Sequence, residues 1–342
     1  MVNARKPEHA LPPAVPVTAE RLLALLQSTS RVLLIAGQPI DGDSLASAVA
    51  CHLILNKLGI TSDIACGSRV PENLRFLTAN IAVLTQPDFL RYQAILVFDC
   101  GELKQTGYLE QLLTIIQNHA LAQVVNIDHH LQDPIYGHHC VIDQNAAATG
   151  VLLYRMLKLW QQIEPACKEL LDPATAEAIL TTLYNDTGSF QHSNTSAESL
   201  RIAADCVRHG ADAAALARTL YRNKSRKVLR LWGRALERLK VQPGSRMAVS
   251  FVTQQDLREL RVEPEEAKGI VSILSYVPES KFALLLSEEL PNVVKGSLRS
   301  DEGKGTDVSR IARLLGGGGH KLASGFKLEG RLEQHGDSFR VV

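Results

Sequence analysis

Three short apolar runs constrain this chain more than any other feature. Residues 31–36 (RVLLIA), 94–98 (AILVF) and 123–127 (QVVNI) are too short for helices and show little polar alternation. Such runs suit strands buried on both faces, as in a parallel sheet. The segments around them have helical character. Thr18 suits the N-cap of a helix through Gln27, a second helix is expected over 44–57 with a stop at Gly59, and a third over 108–119. Strands alternating with helices make βαβ units. Residues 172–184, 197–209, 213–221 and 225–240 then read as successive helices. Beyond them, 246–252, 281–286, 293–299 and 322–328 read as strands, with helices near 264–275 and 307–314. The expected fold class is α/β: a parallel-sheet N-terminal domain over 18–195, a helical connector over 196–240 and a smaller α/β domain over 241–342.

Composition narrows the function. Lys and Arg number 37 against 36 Asp and Glu, a net charge of +1, so no global field is available to hold a long duplex. No apolar run approaches the ~18 residues of a membrane span. Residues 1–17 contain four prolines and no apolar signal core, and are expected to be a flexible lead-in. Six cysteines without a C-x-x-C pair suit reduced thiols in a cytoplasmic protein.

The acids and histidines share one address. Asp41 and Asp43 follow the first run, Asp99 ends the second, and Asp128-His129-His130 ends the third. Loops at the carboxyl ends of parallel strands line one crevice. Asp186 lies at the end of a helical segment, in Asn185-Asp186-Thr187-Gly188. One Asp after a strand is more often a helix cap or turn residue. Several converging carboxylates repel one another unless a cation joins them. An oxygen-rich set with imidazole suits Mn²⁺ or Mg²⁺, and a pair of ions sharing carboxylates suits phosphoryl transfer.

With these motifs the chain resembles the DHH phosphoesterase family. Asp128-His129-His130 is similar to its naming tripeptide, Asp41-Gly42-Asp43 to its first motif and Asp99 to its second. Asn185-Asp186-Thr187-Gly188 is similar to its fourth. Ser297-Leu298-Arg299-Ser300 and Gly317-Gly318-Gly319-His320, with Ala323-Ser324-Gly325, resemble the DHH-associated domain. Among its branches the chain most resembles the nanoRNase and pAp phosphatase group. That resemblance implies hydrolysis of very short oligonucleotides or 3′-phosphoadenosine 5′-phosphate (pAp) with two Mn²⁺ ions, Mg²⁺ being the alternative. Cyclic or linear dinucleotides are the related substrate class. By the same resemblance Asp99 bridges the ions, Asp43, His129 and Asp186 complete one site, Asp41 serves the other, and His130 sits against the substrate phosphate. Arg299, Ser300, Gly317, Gly318, Gly319 and His320 would bind substrate.

One departure bears on the metals. The family places a His four residues before the first Asp, and here that position is Gly37. The site served by Asp41 then lacks its nitrogen ligand and is expected to be the weaker, with Gln38, water or no ion as the alternatives. A catalytically weakened nucleotide-binding homologue is the corresponding second reading. Restoring His at 37 is expected to strengthen that site if the pocket has room.

Two further features have plain alternatives. Gly316–Gly319 suits a flexible loop, or backbone N–H groups approaching a phosphate, in a stretch from Lys295 to Lys327 carrying a local charge of +4. Residues 218–240 carry a local +8, which suits a solvated helix exterior. Leu220, Val228, Leu231, Ala235 and Leu239 form an apolar stripe there for packing or for a homodimer contact.

Overall fold

Each of the three apolar runs is a strand, and the three lie side by side. The structure, a computed structural model, describes residues 14–118, 120–130, 135–221, 224–267, 269–319, 321–335 and 338–342. The chain divides into two compact units after Asn223.

The first unit runs β1 (Val15–Pro16), α1 (Ala19–Gln27), β2 (Arg31–Ala36), α2 (Gly42–Lys57), β3 (Thr61–Ala65), β4 (Val83–Leu84), β5 (Ala94–Phe98), α3 (Leu109–Gln117), β6 (Gln123–Asp128), β7 (His139–Ile142), α4 (Thr149–Ile163), α5 (Pro173–Asp186), α6 (Ala197–Arg208) and α7 (Ala213–Tyr221). Its strands form one sheet in the order β1-β7-β6-β5-β2-β3-β4, every pair parallel. Alternation sends Val32, Leu34 and Ala36 into the core with α1, α2, α4 and α5, and Leu33 and Ile35 into the core with α3. Both faces are covered, as the apolar runs required.

The chain leaves β2 toward β3 on one side and later returns to place β5 on the other. The crevice outside the carboxyl ends of β2 and β5 is therefore the switch point of the sheet. The loops bearing Asp41 and Asp99 meet there. Asp41 caps α2 by accepting from the N–H groups of Asp43 and Ser44 at 3.1 and 2.9 Å, while Ser44 Oγ accepts from Asp41 N–H at 3.1 Å. This reciprocal cap starts the helix at Gly42, two residues before its expected beginning. α5 extends to Asp186, past the expected end at Tyr184. Gly150 allows α4 to meet α5, since a Cβ there would lie 1.9 Å from Thr182 Oγ1.

Of the lead-in expected over 1–17, residues 1–13 lie outside the described residues, and Val15–Pro16 pair with His139–Cys140 at the sheet edge. The helices expected as a connector divide between the units. α6 and α7 pack on the core of the first. In the second, α8 (Arg226–Glu237) buries Val228, Leu231 and Ala235, so this part of the stripe serves internal packing.

The second unit continues β8 (Lys240–Gln242), β9 (Met247–Val252), α9 (Gln254–Leu260), α10 (Ile270–Leu274), β10 (Phe282–Leu290), β11 (Val293–Ser300), α11 (Val308–Leu314), β12 (Gly318–Gly319), β13 (Ala323–Glu329), β14 (Leu332–His335) and β15 (Ser338–Val341). Six strands form a mixed sheet, β12-β13-β11-β10-β9-β8, in which β9 and β10 are the parallel pair. One face packs on α8 and α10, and the other on α11. The helix expected near 264–275 is broken: a 3₁₀ turn at Pro264–Ala267 and α10 are separated by Gly269 at φ 100°. The α/β expectation holds for both units. No helix among the described residues is long and apolar enough to cross a membrane. All six cysteines are buried and unpaired.

Candidate metal centre

The centre is assembled around one imidazole. His129 follows β6, and its Nδ1 lies 3.0 Å from the carbonyl oxygen of Ala146. A carbonyl only accepts, so Nδ1 carries a hydrogen and donates it. Nε2 therefore faces the carboxylates: Asp186 Oδ2 at 2.9 Å, Asp99 Oδ1 at 3.6 Å and Asp43 Oδ2 at 3.7 Å. This nitrogen is buried and forms no well-directed hydrogen bond. A buried, unsatisfied imidazole nitrogen among three carboxylates, its other nitrogen held by a carbonyl, fits a metal ligand.

Each carboxylate is held by a different element. Asp43, in the first turn of α2, is fully buried and accepts from the N–H groups of Thr149 at 2.7 Å and Gly150 at 3.3 Å, the first residues of α4. Asp99 follows β5 with φ 54°, a left-handed conformation that costs a non-glycine residue on the order of 1 kcal/mol or more. Its Oδ1 lies 3.2 Å from His130 Nδ1 and accepts from Thr149 Oγ1 at 3.3 Å. Asp186 is the last residue of α5. Asp128, buried at the end of β6, lies 2.7 Å from His130 Nδ1 and also accepts the His130 N–H at 2.9 Å, fixing that ring.

Ligand atoms of Asp99, Asp128, His129 and His130 lie within 4.8 Å of one another, as do those of Asp43, His129 and Asp186. Asp41 is in neither group. Its carboxylate caps α2 and accepts from Asn185 Nδ2 at 3.2 Å. Asn185 also donates to Asp186 Oδ1 at 2.9 Å and accepts the Gly42 N–H at 3.0 Å, stapling α5 to the start of α2. Asn185 and Thr149 are two residues that hold the carboxylates of this cluster and that the sequence did not single out. Asn185 was visible only as the neighbour of Asp186, and Thr149 followed no motif.

The charges are strongly coupled. Burial, then the Asp99 and Asp186 charges, push Asp41 up to about 7. Burial followed by Asp186 and Asp99 also raises Asp43 well above the usual carboxylate range. Burial opposes ionisation of Asp99, but the neighbouring His129 and His130 imidazoles outweigh it and hold that carboxyl low. For His129, burial works against the charged form, and Asp186 and Asp99 overcome it, to about 12. His130 behaves likewise through Asp128 and Asp99, reaching about 10. A site that needs protonated imidazoles to balance its carboxylates is suited to a cation.

Gly37 has no room for a side chain. A Cβ there would lie 2.1 Å from the Asp99 carbonyl oxygen and 3.1 Å from Cys100 Cβ. The expectation that a His at 37 could restore a ligand therefore fails on space. Gln38 does not replace that ligand either. Its amide oxygen accepts from Gly67 and Ser68 N–H at 2.8 Å, its nitrogen donates to Ser68 Oγ at 3.1 Å, and its backbone N–H donates to Gln105 O at 2.8 Å.

In the second unit, Arg299 lies half-buried on β11, with Nη1 donating to Leu298 O at 2.9 Å and burial lowering its pKa. Ser300 Oγ donates to Lys281 O at 3.1 Å. The glycine run is not a loose loop. Gly316 at φ 74° ends α11, the Gly317 N–H donates to Ala312 O at 2.8 Å, and Gly318–Gly319 form an edge strand against Ser324 and Gly325. Gly317 must be glycine, because a Cβ would lie 2.1 Å from Gly325 O, whereas Gly318 faces open space. His320 lies outside the described residues.

Residues 31–183 match the DHH family N-terminal domain, and residues 244–340 match the DHHA1 domain. The bifunctional oligoribonuclease and PAP phosphatase NrnA of Thermus thermophilus is 29% identical over 292 residues, covering 85% of this chain and 82% of that protein. The Bacillus subtilis protein of the same name is 26% identical over 285 residues, covering 83% and 85%. A crystal structure of an exopolyphosphatase-related protein from Bacteroides fragilis shares the fold, with a TM-score of 0.81, 20% identity and 91% coverage of both chains.

Proposed function

We propose that this chain, which carries a DHH family N-terminal domain and a DHHA1 domain, is a metal-dependent phosphoesterase that hydrolyses very short oligonucleotides, pAp or both. The observation that carries this reading is the orphaned Nε2 of His129 among Asp43, Asp99 and Asp186. The names of the curated relatives supply the substrate class.

Asp43, Asp99, His129 and Asp186 would hold one cation, and Asp99 with Asp41 a second. The oxygen-rich set favours Mn²⁺, with Mg²⁺ as the alternative. Such ions lower the pKa of water and offset charge on phosphoryl oxygens. The chain's own residues do the positioning. Ala146 fixes the His129 ring, and Thr149 and Gly150 aim Asp43. His130, whose ring is fixed through Nδ1 by Asp128, would sit against the substrate phosphate, as the family resemblance implies. Arg299, Ser300, the Gly317–Gly319 backbone and His320 are assigned to a nucleotide phosphate. Six free thiols favour a cytoplasmic setting.

A homologue of weakened activity is the second reading. Gly37 excludes a nitrogen ligand, and Asp41 is already engaged at its cap and by Asn185. Turnover of a dinucleotide, pAp, a cyclic dinucleotide and pyrophosphate, measured side by side across a Mn²⁺ series, separates the readings. Mn²⁺-dependent release from the dinucleotide or pAp supports the first. Saturable binding of either without turnover supports the second.

A further inference from the structure

The loop after Asp186 holds three consecutive left-handed residues: Gly188 at φ 55°, Ser189 at 58° and Phe190 at 65°. Two of them carry a Cβ, so the turn is kept against a steric penalty. The end of α5 holds it in place. The Ser189 N–H donates to Tyr184 O at 2.9 Å, the Phe190 N–H to Thr187 Oγ1 at 2.9 Å, and the Gln191 and His192 N–H groups to Thr187 O at 2.9 and 2.8 Å. The Phe190 ring packs 5.4 Å from that of Tyr184. This tight return brings residues 192–194 back against Asp186.

Asp186 ends α5, so its carbonyl oxygen has no partner within the helix. Two side chains supply one. His192 Nδ1 lies 2.9 Å from that oxygen, and Asn194 Nδ2 lies 3.3 Å from it. A carbonyl only accepts, so both nitrogens donate. The His192 ring lies over Gly188, where a Cβ would fall 2.4 Å from Nε2. A helix end needs no more than this. Asn194 does more. Its amide nitrogen carries two hydrogens, and it also donates to Ala147 O at 3.1 Å. Ala147 follows Ala146, whose carbonyl orients the His129 ring. One amide therefore ties the main chain of Asp186 to the segment that aims His129, and the Asp186 carboxylate meets that ring at 2.9 Å.

We propose that His192 and Asn194 are positioning residues for the metal centre. Together they fix the main chain of Asp186, and Asn194 sets it in register with His129. They act through Asp186 and His129 rather than by touching the ion, and His192 lies in neither ligand cluster. The proposal rests on the metal-dependent reading above. It assigns a purpose to the left-handed turn, which carries the two donors back to the helix end they hold.

Mn²⁺ binding to the full chain is measured by calorimetry without substrate, and melting of the metal-free chain is followed separately. Asn194→Leu keeps the size of the side chain and removes both donated hydrogens. His192→Leu removes the other donor, whereas His192→Asn keeps an N–H close to the place of Nδ1. Asn194→Leu and His192→Leu should each weaken Mn²⁺ about tenfold, and His192→Asn should recover most of that loss. Ser193→Ala, exposed between them, should stay within about twofold of the unmodified chain. Asp186→Ala, which removes the carboxylate itself, should weaken Mn²⁺ further. Unchanged Mn²⁺ affinity in both Leu variants would overturn the proposal even where melting falls, because that pattern belongs to a helix cap and nothing more. Equal losses in His192→Leu and His192→Asn would overturn it as well. Should Asn194→Leu not fold, the His192 pair carries the test. Absence of Mn²⁺ binding in the unmodified chain would overturn the metal-dependent reading, and this proposal with it.

Discussion

Replacing Gly37 with Ala is expected to disable the centre without unfolding the protein. The added Cβ would fall 2.1 Å from the Asp99 carbonyl oxygen, where ordinary contact begins near 3.4 Å, so an opening of about 1.3 Å is needed. Neither wall yields easily. The Gly37 N–H donates to Phe98 O at 3.0 Å, and Asp99 already sits at φ 54° with its N–H donating to Ile127 O at 3.0 Å. Overpacking of this kind costs about 1–3 kcal/mol of stability. The functional cost is larger, because Asp99 Oδ1 is 3.6 Å from His129 Nε2 and 3.2 Å from His130 Nδ1. A misplacement of about 1 Å costs on the order of a hundredfold in rate. The assay is Mn²⁺-dependent hydrolysis of a dinucleotide, with thermal melting as the control for folding. Gly101→Ala is the matched comparison, since its Cβ would meet nothing closer than 3.7 Å, and it should stay near the unmodified rate. Gly37→His should be at least as damaging as Gly37→Ala. Unimpaired turnover in Gly37→Ala, or a lowered Mn²⁺ requirement in Gly37→His, would refute the steric argument.

Three further outcomes are expected. Asp99→Ala should reduce Mn²⁺-dependent turnover far more than Asp143→Ala, because Asp143 pairs with Arg155 at 2.6 Å and lies outside both ligand clusters; comparable losses by steady-state kinetics would contradict the site. In the second unit, burial raises the Asp256 carboxyl, but hydrogen bonds from Arg238, the Thr253 N–H and Arg234 outweigh it and hold the pKa well down. A depressed pKa contributes stability that is present above the unfolded value near ~4 and lost as pH falls through the folded value. Asp256→Asn should therefore cost about 3 kcal/mol at neutral pH, by melting, and progressively less in acid. Finally, turnover should fall steeply with substrate length, because a net charge of +1 offers no track for a long strand; equal rates on 3-mers and 30-mers would refute this.

The parts legible in the sequence were those written locally. RVLLIA and AILVF specify strands buried on both faces because, Arg31 apart, nothing in them tolerates water, and an Asp in the loop after each strand marks the crevice. The interval from β7 to α4 was less legible. HCVI is short, and Ala148 gives α4 no side-chain cap to announce its start. Roles set by distant partners were also hidden. Asn185 acts on Gly42 and Asp41, more than 140 positions away. The crowding at Gly37 arises because β5 lies beside β2, and no local pattern encodes that neighbour. The glycine run left two readings open, a flexible loop or a backbone shaped for a phosphate, and only its neighbours show that Gly317 is held between Ala312 and Gly325.

The Asn185 staple also bears on how this protein is made. Asp41 and Asp43 leave the ribosome early, whereas Asn185 and Asp186 close the last helix of the central layer. A nascent chain that ends before α5 already holds Asp43, Asp99 and His129 in sequence, but lacks both Asp186 and the amide that clamps α5 to the α2 N-terminus. Closing so long a loop carries an entropic cost that no single hydrogen bond offsets. A cation that binds only the closed arrangement would favour docking of α5 by mass action. Docking of α5 and completion of the proposed centre are then one event, so a chain truncated before α5 should show no metal-dependent turnover.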